Sequence, residues 1–484
     1  MTELHFRSAT ELAACLRRRE VSSRELLELY LARIEKHNPG LNAVVTLDVE
    51  RARTRAAEAD AALARGESWG PLHGLPMTIK DSFETAGVRT TAGSPAFANH
   101  VPTRDAEAVK RLRDAGAVIF GKTNLPVLAG DLQSFNPVFG TTNNPWDTTR
   151  TPGGSSGGAA AALAAGLCAL ELGSDIGGSI RTPCHWNGLF GHKPTHGIIP
   201  IRGHIPGPPG MLSEMDLGVA GPIARSAEDL DLSLGILAGP TPERAVAWQF
   251  ALPKPRQTDL RAYRVAVWID DRDFPLDTQV GDRLRETVAS LRAAGVRVDE
   301  QARPFENARE AFDVYERLLW GAMIAGFPDE VFQAFLAHTQ ANPTDASALG
   351  RTARAGVQRH RDWAHATEAG AQLRARFAAF FRDFDVLLMP VNPVPAIPHD
   401  QDGDLTTRSI RINGERADYL DMLKWISPAT LCYLPASVAP VGRTREGLPV
   451  GIQIVGPYLE DRTTIDFARR VGEVCGGFTP PPGY

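Results

Sequence analysis

The sequence has few cysteines and lacks the usual marks of a secreted or membrane-spanning protein. Its 484 residues include only five cysteines, an odd number without C-x-x-C spacing, which favours a reducing compartment over a disulfide framework. No apolar segment reaches about 18 residues without a charge or a glycine, and the first residues carry charges where a signal peptide needs an apolar core. We therefore expect a cytoplasmic protein that contacts no membrane.

Charge of one sign is not in large excess either. The chain holds 52 Lys and Arg against 57 Asp and Glu, which gives a formal net charge of −5, and no basic run changes that balance. A nucleic-acid partner would require a basic surface, so the composition argues against one. Hydrophobic residues make up 43% of the chain, enough for the core of a large enzyme that acts on a small molecule.

Two motifs match the sequence literally but lack their structural context. Residues 116–123 fit the P-loop pattern G-x-x-x-x-G-K-[ST], yet 117–120 has the apolar pattern of a strand and leaves no phosphate cradle. Residues 153–157 fit the G-x-S-x-G nucleophile elbow, but the polar, proline-bounded stretch before them is typical of a loop. No cysteine or carboxylate pattern completes a metal site around the histidines between 185 and 204, so we expect no metal and no other cofactor.

Two glycine-rich serine segments give the strongest signal. They read Thr151-Pro-Gly-Gly-Ser-Ser-Gly-Gly and Gly173-Ser-Asp-Ile-Gly-Gly-Ser-Ile-Arg181. Glycine is used where the backbone turns sharply or approaches a ligand closely, so both segments predict site loops. Between them, 158–166 predicts a helix and 167–172 a short buried strand. If helix and strand run antiparallel, they bring Ser155 and Ser179 to the same edge of the sheet.

These segments contain the parts that a serine nucleophile requires. A serine hydroxyl needs an adjacent base, together with hydrogen-bond donors where negative charge develops. The base candidate is Lys80, at the end of an apolar strand pattern, because burial can lower a lysine pKa by roughly 3–5 units. Backbone N–H donors for an oxyanion could come from one run of residues, namely Ile176, Gly177, Gly178 and Ser179.

The same residues have structural alternatives. Serines in glycine loops are usually turn or capping residues, so Ser155 and Ser156 could simply cap the following helix. A lysine at a strand end, such as Lys80, is normally solvated or salt-bridged. Asp175 and Arg181 bracket the second segment, and we expect them to support it as an ion pair or through hydrogen bonds, since acyl transfer by two serines and a lysine needs no carboxylate.

Together, the two segments and the lysine resemble the amidase signature family of amide hydrolases. The resemblance rests on Lys80, Ser155 and Ser179, with 24 positions between the serines, and extends to 121–124, 139–146, 191–195, 384–390 and 448–456. It implies that Ser179 is the nucleophile, that Ser155 is a bridging serine on a cis peptide bond, and that Lys80 is the base. It also implies that residues 1–484 form a single domain around a mixed β-sheet.

The order of the elements independently predicts an α/β fold. The chain opens with amphipathic helices, in which Leu27, Tyr30, Leu31 and Ile34 share one face after the cap candidates Ser22 and Ser23. Strand patterns then alternate with helical segments, which indicates a sheet covered by helices on both faces; the strands are predicted near 75–80, 117–120, 167–172, 264–269, 385–389 and 450–455. We divide the domain into N-terminal helices (about 1–65), a signature core (about 70–235), a variable substrate-lining region (about 245–380) and a C-terminal part of the sheet (about 384–484).

The substrate is less determined than the chemistry. The resemblance places pocket walls at Ala129, Gly130 and Asp131 and in the variable region, which here contains Trp320, Met323 and Trp363, and the tract 205–210 could add a further wall. These side chains favour an apolar or aryl amide as the small-molecule substrate. A carbamate (urethane) or ester hydrolase would use the same residues. The subunit of a Gln-dependent amidotransferase would instead need partner chains. The segment 217–223 looks more like the corresponding segment of stand-alone amidases. The sequence leaves open whether the chain forms a homodimer.

Overall fold

The backbone is organised around one large β-sheet. This computed structural model describes residues 3–205, 207 and 209–484. Within them the strands are β1 (Val44–Leu47), β2 (Pro76–Lys80), β3 (Val118–Thr123), β4 (Phe135–Asn136), β5 (Gly140–Thr141), β6 (Glu171–Asp175), β7 (Phe190–Lys193), β8 (Val219–Ala224), β9 (Arg264–Val267), β10 (Arg297–Asp299), β11 (Val386–Pro390), β12 (Ser409–Ile412), β13 (Glu415–Asp418), β14 (Ala436–Arg443) and β15 (Pro449–Val455). Eleven of these strands join in the order β1-β3-β2-β6-β8-β7-β14-β15-β11-β9-β10, while β4-β5 and β12-β13 form two separate pairs.

Helices connect the strands and flank the sheet. In the described residues they are α1 (Ala9–Arg17), α2 (Ser23–Leu41), α3 (Val49–Ala64), α4 (Glu107–Asp114), α5 (Gly157–Ala164), α6 (Arg181–Asn187), α7 (Ala227–Leu237), α8 (Pro242–Ala245), α9 (Thr278–Ala293), α10 (Ala308–Met323), α11 (Asp329–Ala341), α12 (Ala348–Gly356), α13 (His360–Phe380), α14 (Ser427–Leu431) and α15 (Asp461–Cys475). The strand pairs β2-β3, β2-β6, β9-β10 and β9-β11 are parallel, and the other pairs of the large sheet are antiparallel. The predicted single α/β domain with a mixed sheet is confirmed.

Helix α2 begins at the predicted cap. The Ser22 hydroxyl accepts a hydrogen bond from the backbone N–H of Glu25, and the Glu25 carboxylate accepts one from the backbone N–H of Ser22. This reciprocal arrangement satisfies two donors that the first turn would otherwise leave open. Leu27, Tyr30 and Ile34 are buried in the core, so the apolar face predicted from their spacing is the packed face of the helix.

One predicted strand is displaced along the chain. The sequence pattern places it at 167–172, whereas β6 spans Glu171–Asp175 and 167–170 forms a buried connection after α5. The difference arises because β6 carries two buried carboxylates, which would normally mark the end of a strand. The Thr78 hydroxyl donates a hydrogen bond to Glu171, and Arg181 pairs with Asp175, so each carboxylate has a partner inside the fold.

Parallel strands at the centre of the sheet set the position of the candidate site. Strand β2 lies between β3 and β6 and runs parallel to both, so Lys80 and Asp175 end neighbouring strands at the same edge. The loop before α5 reaches this edge through a close backbone contact. A Cβ atom at Gly154 would lie 2.5 Å from the carbonyl oxygen of Asp131, so only glycine fits there.

Candidate active site

Ser155 and Ser179 line one cavity, which measures about 560 Å³ with the open solvent at its mouth included. Ser155 lies in the loop before α5, and the peptide bond between Gly154 and Ser155 is cis. Ser179 lies in the turn between β6 and α6. Both residues are buried, with 1% and 6% of their surface exposed respectively, so little of either side chain meets bulk water. The structure therefore brings together the two serines that the sequence singled out.

From the end of β2, the Lys80 side chain contacts two serines that line this cavity, Ser155 and Ser174. Its Nζ lies 2.6 Å from Ser155 Oγ and 2.8 Å from Ser174 Oγ, and the residue is fully buried. Burial lowers the pKa of Lys80 to about 7, although the negative charges of Asp175 and Glu171 act in the opposite direction. Near neutral pH, a large share of the Lys80 amines is uncharged. Such an amine can accept a proton from a neighbouring hydroxyl.

The turn after β6 presents backbone donors beside Ser179. Within the described part of the chain, the N–H groups of Ile176, Gly177 and Ser179 donate no hydrogen bond. The N–H of Gly178 differs, because it donates to Asp175 Oδ1 at 3.0 Å. Three of the four donors in the predicted run are thus available to a ligand oxygen, while Gly178 N–H is engaged in holding the turn.

Asp175 and Arg181 form a fully buried ion pair under this turn. The Arg181 guanidinium donates to both carboxylate oxygens of Asp175, at 2.8 and 3.1 Å. Arg181 also donates to the carbonyl of Ile426, to Thr430 Oγ1 and to Gln453 Oε1. Burial disfavours the ionised carboxyl, but the Arg181 charge and its hydrogen bonds outweigh this and lower the pKa of Asp175. The pair ties the turn to α14 and β15.

Ser156 does not act as a helix cap. It precedes α5, but its hydroxyl makes no capping hydrogen bond with the first turn of the helix. Its backbone N–H donates to the carbonyl of Ser179 at 3.2 Å, and its hydroxyl lies 3.4 Å from the carbonyl of Ser174. The capping alternative is therefore wrong for Ser156, which instead links the two glycine-rich segments.

The segment Ala129, Gly130 and Asp131 lines a second cavity of about 380 Å³, which shares Ile176 and Ser179 with the first. Asp131 accepts hydrogen bonds from Arg408 and from the Tyr419 hydroxyl, both at 2.7 Å, so its charge is already paired. The other lining side chains of this second cavity are apolar: Leu132, Leu319, Trp320, Met323, Leu405, Leu420 and Leu423.

The structure places some of the predicted wall residues at the two cavities and others elsewhere. Trp320 and Met323 line the cavities, whereas Trp363 lines neither and packs, partly buried, against the core. Of the tract 205–210, Pro206 and Pro208 lie outside the described residues. The chain on either side of this tract contributes wall residues to the first cavity, namely Ile201, His204, Met211, Ser213 and Met215.

Sequence reasoning missed two polar residues of the site. Ser174 lies next to Asp175 on β6 and contacts Lys80, and His204 Nε2 lies 2.8 Å from Ser174 Oγ. Ser174 lies inside the second glycine-rich segment, so the sequence contains a signal that could have identified it as a site residue. In the sequence, His204 is one of several histidines weighed as metal ligands. Nothing in its spacing indicates that the fold brings it close to Lys80.

The P-loop match has a structural explanation. Gly121 and Lys122 lie inside β3, and the buried Lys122 amine donates to the carbonyl of Phe83 and to the hydroxyls of Thr85 and Thr90. This lysine therefore has three partners within the fold and does not face a phosphate site. Among the described residues, no group of three His, Cys, Asp or Glu side chains could hold a metal ion, and no helix is long and apolar enough to cross a membrane.

Comparisons with known proteins agree with this geometry. The family model described as Amidase matches residues 25–465. A Glutamyl-tRNA(Gln) amidotransferase subunit from Acidothermus cellulolyticus is 35% identical over 484 residues, covering 95% of this chain and 93% of the relative. A solved structure described as an amidase aligns with a TM-score of 0.78 at 30% identity, over 97% of this chain and 100% of that one. A 6-aminohexanoate cyclic dimer hydrolase complexed with substrate aligns with a TM-score of 0.78 at 25% identity, over 99% of both chains. The chain therefore belongs to the amidase family and is an enzyme that acts on amide C–N bonds.

Proposed function

We propose that the chain hydrolyses a carboxamide C–N bond through an acyl-enzyme on Ser179, with Ser155 and Lys80 as its proton-transfer pair. The observation that carries this proposal is the 2.6 Å contact between Lys80 Nζ and Ser155 Oγ, because Ser155 lines the same cavity as Ser179. A serine hydroxyl is a weak nucleophile unless a base takes its proton. A buried lysine with a pKa near 7 is such a base at neutral pH.

The proposed reaction has two halves. In the first, Ser179 Oγ attacks the amide carbonyl, its proton moves to Ser155 Oγ, and the Ser155 proton moves to Lys80 Nζ. The tetrahedral intermediate collapses when Lys80 returns a proton through Ser155 to the leaving nitrogen, which departs as an amine. In the second half, water passes a proton along the same path to Lys80 and attacks the ester on Ser179. Lys80 then returns that proton through Ser155 to Ser179 Oγ as the carboxylic acid leaves.

The turn after β6 supplies the hydrogen-bond donors that we propose for the oxyanion. We assign the free backbone N–H groups of Ile176 and Gly177 as donors to the oxygen that becomes negative in the intermediate. Gly178, the third predicted donor, could contribute only if its N–H leaves Asp175. Asp175, which also lines the first cavity, and Arg181 would support this arrangement as a buried ion pair under the turn.

The second cavity favours a neutral apolar or aryl group on the substrate. Among the described residues that line it, the one charged side chain, Asp131, is paired with Arg408, and an apolar group would contact Trp320, Met323 and the surrounding leucines. A carbamate or ester with a similar group suits the same residues. The 35% identical relative favours the other alternative, a subunit of an amidotransferase, which would add partner chains. We favour a stand-alone cytoplasmic amidase of small molecules.

Covalent labelling tests the acyl-enzyme directly. A fluorophosphonate should label the isolated protein on Ser179 and leave Ser155 and Ser156 unmodified, because Ser179 is the serine beside free backbone donors. Peptide mass mapping of the inhibited protein locates the label. Hydroxylamine added during amide turnover should divert acyl groups into hydroxamate. A label confined to Ser155 would move the nucleophile to that residue, and an unlabelled protein would argue for direct hydrolysis.

The rate should rise with pH through the Lys80 pKa. Lys80 accepts a proton only when neutral, and its pKa is lowered to about 7 by burial, so the rate should be half-maximal near pH 7. Below that point it should fall about tenfold per pH unit, since protonated lysine then predominates. Initial rates between pH 5 and 9, measured on protein shown to stay folded, check this. A rate that falls steadily from pH 6 to 9 would exclude Lys80 as the base.

Substrate preference should separate the stand-alone amidase from the subunit of an amidotransferase. Phenylacetamide should be hydrolysed with a kcat/KM roughly 100-fold above that of glutamine, because the glutamine ammonium and carboxylate would lose water without gaining partners in the apolar cavity. Ammonia release by the purified chain measures both reactions. A higher kcat/KM for glutamine would favour the amidotransferase alternative instead.

A further inference from the structure

A line of polar contacts continues beyond Lys80. Ser174 Oγ lies 2.8 Å from Lys80 Nζ on one side and 2.8 Å from His204 Nε2 on the other. Lys80 in turn contacts Ser155, so four side chains form one connected path. Asp175, whose buried carboxylate pairs with Arg181, is not part of it. The path ends at a histidine that also lines the first cavity.

We propose that His204 is a positioning residue which, through Ser174, holds the lone pair of neutral Lys80 toward Ser155. This inference rests on the proposed function of Lys80 as base. A neutral amine has two N–H donors and one lone pair, and it is useful only when the lone pair faces the proton that it must accept. If Lys80 donates an N–H to Ser174, its lone pair is free to face Ser155.

His204 sets the direction of this hydrogen bond. When imidazole Nε2 is unprotonated, it accepts the Ser174 hydroxyl proton, and the Ser174 oxygen then accepts from Lys80 Nζ. This direction assigns the tautomer with hydrogen on Nδ1. Without an acceptor at this place, the Ser174 hydroxyl can donate to Lys80 and compete with Ser155 for the lone pair. No proton moves to His204 in the reaction.

The fold holds His204 in the orientation that this role requires. Its ring packs edge-to-face on Phe83, with 4.7 Å between the ring centroids. The neighbouring Ile205 N–H donates to the Ser82 carbonyl at 2.8 Å, which anchors the segment to the chain just after Lys80. Burial and the charge of Lys80 hold the pKa of His204 well below its usual range, so the imidazole is neutral where Lys80 acts.

Labelling kinetics test the proposal without knowledge of the natural substrate. The second-order rate of Ser179 modification by a fluorophosphonate is measured at pH 8 for the full chain. His204→Phe keeps a ring beside Phe83 but has no acceptor, and we expect its rate to fall at least tenfold. His204→Gln places an amide oxygen near Ser174 and should restore at least a third of the wild-type rate. His360→Phe, at the start of α13 and away from the cavity, is the matched control and should stay within twofold.

Ser174→Ala tests the connection itself. It removes the middle of the path, so its rate should fall to a similar extent, and adding His204→Phe to it should cost less than a further twofold, because linked residues lose one shared effect. Equal rates for His204→Phe and wild type, or multiplying losses in the double variant, would overturn the role of His204. A wild-type protein that is not labelled on Ser179 would instead contradict the proposed function. Thermal unfolding of each variant separates both results from misfolding.

Discussion

Replacing Lys80 by alanine should lower kcat/KM for amide hydrolysis by roughly 10⁴-fold, and Ser179→Ala should abolish turnover. In the proposed mechanism Ser179 loses its proton through Ser155 to the buried amine of Lys80, which lies 2.6 Å from Ser155 Oγ. Ser155→Ala interrupts the same path and should cost several orders of magnitude as well. Members of one proton-transfer unit fail together, so the Lys80 and Ser155 double variant should be little worse than either single variant.

Lys122 provides the matched control for this experiment. It lies on β3, the parallel neighbour of β2, is fully buried like Lys80, and has a pKa that burial lowers to about 8. Its partners are Phe83, Thr85 and Thr90 rather than a serine of the cavity. Lys122→Ala should therefore reduce the stability of the fold but leave the rate per folded molecule within a few-fold. Near-normal activity of Lys80→Ala would refute the assignment.

The sequence predicts the fold more completely than it predicts the contacts of Lys80. Periodicity and capping signals identify α2 and narrow its cap to Ser22 or Ser23, because local interactions determine where that helix begins. The two serine segments are found from their glycine-rich composition, and Lys80 from the strand pattern before it once those segments call for a base. The strand at β6 is misplaced by a few residues, because the hydrogen-bond partner of Glu171 and the ion-pair partner of Asp175 come from β2 and α6. The division of the chain into four regions stays a prediction.

Contacts between distant parts of the chain are what the sequence does not show. His204 meets Ser174 across 30 positions, and no spacing rule connects a loop histidine to a strand serine. Asp131 pairs with Arg408, which lies 277 positions away in the sequence. Because of this pair, the described lining of the second cavity contains no unpaired charge. Apolar side chains such as Trp320 and Trp363 look equivalent in the sequence, yet only the first lines a cavity. The substrate class depends on these long-range contacts.

Asp175→Asn should lower the free energy of unfolding by about 3–5 kcal/mol. The substitution keeps the shape of the side chain but removes its charge, so the Arg181 guanidinium is left buried without a counter-ion. Breaking a buried pair on one side is costly because the remaining charge has lost its water as well as its partner. The same change weakens the acceptor for Gly178 N–H, so the turn that carries Ser179 should loosen. Urea denaturation followed by far-UV circular dichroism measures the loss.

The ion pair between Arg309 and Asp313 on α10 is the control for Asp175→Asn. Both of its side chains are 51% exposed, so water and salt already screen the two charges. Asp313→Asn should therefore change the free energy of unfolding by less than about 0.5 kcal/mol.

If Asp175→Asn unfolds at the same urea concentration as Asp313→Asn, the buried pair does not hold the fold. If Asp175→Asn is destabilised but labels on Ser179 at the wild-type rate while folded, the pair serves stability and does not position the nucleophile. We expect both stability and labelling rate to fall, because the same carboxylate that neutralises Arg181 also accepts the backbone hydrogen bond of Gly178, the residue next to Ser179.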